Sequence, residues 1–110
     1  MTPRPPQHLS PATRRWWSSV VSTFVLEPHH LKLLVLAGEA LDRAAMAQAD
    51  LDAAGTLTYP DRFGAPRLRP EVACKRDAEL SFARLLRELA LDVAPEAPRP
   101  PALRANMRGG

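Results

Sequence analysis

Cysteine is all but missing from this chain of 110 residues. Cys74 stands alone, which excludes an intramolecular disulfide and a Cys-rich zinc site and makes the cytoplasm the simplest compartment. Glycine is scarce too. None of the five falls into the GxGxxG or GxxxxGK[ST] spacing that lets backbone amides cradle phosphate, so an autonomous nucleotide enzyme is not expected. No apolar run approaches the roughly 18 residues of a membrane span, and the N-terminus lacks the continuous apolar stretch of a signal peptide. Lysine is rare: Lys32 and Lys75 stand against 13 arginines.

What remains is ordinary globular material, 45% hydrophobic and 25% charged. Prolines crowd the two ends, at Pro3, Pro5, Pro6 and Pro11 and again at Pro95, Pro98, Pro100 and Pro101. Only the middle can pack, and the expected organisation is a Pro-rich mobile arm over residues 1–8, one helical core over 9–93 and a disordered Pro/Arg tail over 94–110. Net charge is +3. Arginine keeps its charge and grips phosphate with a planar fork, so this bias suits a nucleic-acid partner, although GC-rich coding also favours arginine.

Ser10-Pro11 reads as a helix start, with a capping hydroxyl followed by a proline suited to the first helical position. Trp17, Val20, Val21 and Phe24 then recur at i, i+3, i+4 and i+7, defining an amphipathic helix that ends near Leu26, ahead of Pro28. Pro28 opens a second helix that nothing but Gly38 interrupts before Ala54, roughly 39 Å at ~1.5 Å per residue. It carries two apolar stripes, Leu31, Leu34, Val35, Gly38, Leu41, Ala45, Ala49 and Leu33, Leu36, Ala37, Ala40, Ala44, Ala47, Leu51. Together they exceed the ~100° arc that a surface helix needs. So small a domain has few neighbours to cover both, and one is expected to meet another copy of the chain. Leu31, Leu34, Val35, Gly38 and Leu41 are the candidate interface, with Gly38 and the alanines permitting close approach.

Gly55 is placed to cap this helix in a left-handed conformation. Thr56 to Arg69 then alternates β-prone residues with turn residues, a short hairpin or extended loop whose Pro60 and Pro66 keep any strands at an edge. Pro70 starts a third helix through about Ala90, with Phe82, Leu85, Leu86 and Leu89 as its densest apolar face. The expected fold is therefore mainly α, three helices with one long, and a β-hairpin between the second and third.

The order of these parts resembles phage terminase small subunits of the siphophage and prophage type. It rests on an LSP helix start with paired tryptophans, LEPHHLKLL and AGEALDRA on the second helix, a DRFG turn and a closing FARLLRELALD. The resemblance covers about Leu9 to Val93. The chain departs from the family in having Arg69 rather than histidine before Pro70. It also has an arm too short for a helix-turn-helix domain ahead of Ser10. What the resemblance implies is a non-enzymatic packaging factor in the cytoplasm of a bacterial host. Such a factor forms a ring-like homo-oligomer, binds double-stranded phage DNA at the packaging start and recruits the large terminase subunit, which owns the ATPase and nuclease.

No catalytic set, metal or cofactor is expected. His29 and His30 point about 100° apart on a helix and lack a third ligand. Cys74 has no histidine and carboxylate beside it in any pattern and reads as a partly buried small hydrophobe. Asp42, Asp50 and Asp52 read as a solvated acidic face. Trp17 reads as core, Trp16 as flank or interface. Among the cations, Arg14 and Arg15 lie near the positive end of the first helix, an awkward place unless an anion is close. Arg62, Arg67 and Arg69 concentrate on the hairpin. These five are the candidate DNA contacts.

Overall fold

A computed structural model describes residues 2–90; the last residues of the expected core and the whole tail lie outside them. The order is α1 (Pro11–Thr23), α2 (Pro28–Ala54), β1 (Thr58–Pro60), β2 (Pro66–Leu68) and α3 (Pro70–Leu89). This is the expected mainly helical architecture, with the two-stranded hairpin between the second and third helices.

Ser10 caps α1 as read, its Oγ accepting the Thr13 N–H at 3.3 Å. The helix stops at Thr23, three residues before Leu26, and Phe24 is already extended. The cause is local. The hydroxyls of Ser22 and Thr23 both donate to the Ser19 carbonyl, at 2.9 and 2.8 Å, and such side-chain bonds compete with the helical ladder. In the extended exit Phe24 and Leu26 turn toward the core while Val25 between them is fully exposed, the alternation of extended backbone.

Pro28 opens α2, the His30 Nδ1 accepts the Glu27 N–H at 3.1 Å, and Gly55 closes the helix at φ +74° with its N–H on the Leu51 carbonyl. Both stripes of α2 are used within the chain. α1 crosses its first half at Gly38, where an added Cβ would lie 3.0 Å from a Leu9 methyl and 3.2 Å from the Thr13 methyl. α3 returns along the other stripe, its start beside Leu51 and its end, Leu89, in the core with Leu34. The small residues Ala37, Ala40, Ala47 and Ala78 are buried between α2 and α3, so the two helices approach closely. The main core lies where all three helices meet: Leu9, Trp17, Val20, Leu34 and Leu89, ringed by Trp16, Val21, Phe24, Leu26, Leu31, Leu33 and Val35.

This packing corrects the interface expectation for its central members. Leu34 has no exposed surface and Gly38 is covered by Leu9 and Thr13. Leu31 and Val35 pack against the core, and Leu41 is half-buried. The sequence pattern showed how much apolar surface α2 must hide but not that α1 and α3 suffice to hide this part of it.

The segment before α1 is folded back rather than free. Pro5 and Pro6 are half-buried, the Leu9 N–H reaches the Pro6 carbonyl, and His8 Nε2 lies 2.8 Å from Glu39. None of the three helices is long and apolar enough to cross a membrane.

Candidate nucleic-acid interface

The five candidate arginines fall into two groups. α1 begins where it crosses α2 near Asp42, whereas the hairpin starts beyond Ala54, about 18 Å further along the axis at ~1.5 Å per residue. One protomer therefore presents two separated basic sites.

At the first site Arg14 and Arg15 line a concavity of about 410 Å³ with Pro5, Pro11 and Ser18. Arg14 is half-buried and partly committed: one guanidinium nitrogen donates to the carbonyls of Gln7 and Leu9, at 3.1 and 2.7 Å. It ties down the segment before α1, a role nothing in the spacing signalled. Arg15 is exposed, and the first turn of α1 contains no acidic side chain.

Across the helix start the positive end of α1 is met from another side. The Asp42 carboxylate accepts from the Ser10 N–H and Ser10 Oγ, both at 2.8 Å, and from Thr13 Oγ1 at 2.6 Å. Burial acts against its ionisation, but the Thr13 and Ser10 hydrogen bonds prevail and hold its pKa below the ordinary aspartate value. Asp42 is thus no part of a solvated face. It is an anion supplied by α2 to the end of α1, and only tertiary contact brings the pair together.

The second site is the hairpin. Thr58 pairs with Leu68, Tyr59 with Arg67 and Pro60 with Pro66. The Arg69 N–H on the Leu57 carbonyl extends the ladder at its base. At the tip Gly64, at φ +80°, sends its N–H to the Asp61 carbonyl, leaving Arg62, Phe63 and Gly64 as a three-residue loop. The Asp61 carboxylate pins this loop, accepting the N–H groups of Phe63 and Ala65 and the Arg67 Nε at 3.1 Å. Those bonds hold its pKa below the ordinary value. Arg62 stacks its guanidinium 5.1 Å from the Phe63 ring centre. Arg69 is half-buried at the start of α3, with its Nε enclosed and without a hydrogen-bond partner among the described residues, so it is a base residue of the hairpin rather than a projecting cation.

Of the remaining candidates, Trp17 is 2% exposed in the core and Trp16 stacks on Phe82 at 5.5 Å, so packing occupies both tryptophans. Cys74 is exposed rather than partly buried. Comparison with protein-family models, with curated proteins and with solved structures found no match.

Proposed function

We propose that this chain is a DNA-binding subunit that works as a homo-oligomer, in the manner of a phage terminase small subunit. It gathers into a ring, holds double-stranded phage DNA at the packaging start and recruits the large subunit, itself contributing no catalysis. The carrying observation is the concavity at the start of α1, where exposed Arg15 and the partly engaged Arg14 stand beside Ser18. One such site can neutralise few phosphates. A ring repeats it, and weak attractions then sum through multivalency. The segment 95–110, outside the described residues, is assigned to large-subunit docking on its Pro/Arg composition.

Mobility shift with duplex DNA across a salt series tests this reading, together with the native mass of the full chain. Binding should weaken steeply with salt, and Arg15→Ala should flatten the dependence of log K on log salt by about 0.9 for each phosphate that the variant no longer neutralises. Absence of any shift at low salt would favour a second reading, a helical protein–protein adaptor without nucleic-acid binding, which the exposed Leu57, Phe63 and Leu68 support.

A further inference from the structure

Two uncovered surfaces of the protomer carry opposite charge. The first is the hairpin, whose strands are exposed throughout. Phe63 is 81% exposed, Leu68 64% and Leu57 56%, and a lone two-stranded hairpin is at best marginally stable in water. Pro60 and Pro66 sit in its two strands, so it is a poor template for strand addition. What it offers is side chains, above all Phe63 under the Arg62 guanidinium. From Thr56 to Arg69 there are three arginines against the single Asp61.

The second surface is the later half of α2, left bare among the described residues because α1 reaches no further along it than Asp42. Met46 is 67% exposed there. It stands between a groove of about 290 Å³, which it shares with Ala45 and Asp42, and a cleft of about 160 Å³ against α3. Arg43, Asp50, Glu71 and Cys74 rim the cleft, and its space is of the order of one large side chain. Over residues 43–54 the charged side chains are Arg43, Asp50 and Asp52, and on the cleft rim Asp50 and Glu71 stand against the single base Arg43.

We infer that the hairpin tip of one copy docks on this α2–α3 surface of the next, with Phe63 entering the cleft beside Met46 and Arg62 turned to Asp50 and Glu71. The inference rests on the homo-oligomer reading above and supplies its interface. Hairpin and cleft are different surfaces, so the contact is head-to-tail and propagates into a closed ring or an open chain. It removes Arg62 from the duplex-contacting set and leaves Arg14, Arg15 and Arg67 in it.

Cys74, the sole cysteine and a cleft residue, supplies the probe. In the full chain F63C sets a second thiol opposite the neighbour's Cys74, and mild oxidation should give a ladder of covalent multimers on a non-reducing gel. Adding C74S removes the thiol it faces and should abolish the ladder. F63D and M46D should each reduce the native mass to a monomer with helical circular dichroism unchanged. Mixed together they should form a dimer, since each retains the surface that the other lacks. A wild-type chain that is monomeric at high micromolar concentration overturns the oligomer reading itself. A wild-type multimer whose F63C variant gives no ladder, or whose F63D variant keeps its mass, overturns this interface alone. F63D that keeps its mass and loses duplex binding assigns the tip to DNA instead.

Discussion

Replacing Asp42 by alanine removes one carboxylate and three hydrogen bonds that join the start of α1 to the middle of α2. A hydrogen bond to a charged group contributes about 1.5–3 kcal/mol, but three on one carboxylate are not additive. The site is half-buried, and Ser10 Oγ still caps Thr13 in the variant. A net loss of about 2–3 kcal/mol is therefore expected, a large share of the ~5–15 kcal/mol that holds a small domain together. At about 4–8 °C per kcal/mol for a domain of this size, the melting temperature should fall by about 10–20 °C. The folded-state pKa of Asp42 is lowered, so its contribution is fully present above the unfolded value of about 3.9 and is lost as pH falls through the folded value. The gap between wild type and Asp42→Ala should thus be widest near neutrality and close in acid. Thermal unfolding followed by circular dichroism over a pH series measures both quantities. Thr13→Val, which keeps the γ-methyl against Gly38 and removes one donor, should destabilise wild type but hardly affect Asp42→Ala. A melting temperature within about 2 °C of wild type at neutral pH, or a gap that persists undiminished in strong acid, would refute the reasoning.

Other expectations follow from the same geometry. Gly38→Val adds methyl groups where Leu9 and Thr13 already stand 3.0 and 3.2 Å from a bare Cβ, and should cost about 2 kcal/mol or more by chemical denaturation. Trp17→Ala empties the most buried aromatic site and should cost about 3–5 kcal/mol, close to unfolding the domain. Asp61→Ala should loosen the hairpin without melting the helices, seen as faster amide exchange at Phe63 and Ala65. Because the Asp61 pKa is also lowered, the wild-type loop should loosen in the same way as pH falls through that value. Unchanged exchange in the variant would remove the carboxylate from its assigned role.

The helical elements were legible along the chain because their signals are local. Ser10-Pro11, Pro28, Gly55 and Pro70 each act through the dihedral angles and hydrogen bonds of their own neighbourhood, and the observed helices start and stop at these markers apart from the early end of α1. That end was missed because it depends on hydroxyls competing for one carbonyl, which apolar periodicity does not register. The arginines of the candidate site were visible as charge. Their commitments were not: Arg14 is partly spent on the Gln7 and Leu9 carbonyls, Arg67 is paired with Asp61, and Arg69 is tucked in at the base of the hairpin.

Residue order was enough to settle the architecture, since caps, breakers and 3.6-residue periodicity act over a few positions and need no distant partner. Which part of α2 is left uncovered depended on how the finished helices lie. α1 is short and crosses only as far as Asp42, so Leu34 and Gly38 vanish inside while Met46 stays in the open. The pairing of Asp42 with Ser10 and Thr13 joins residues about thirty positions apart, a distance over which composition and periodicity carry no information and side-chain packing supplies all of it.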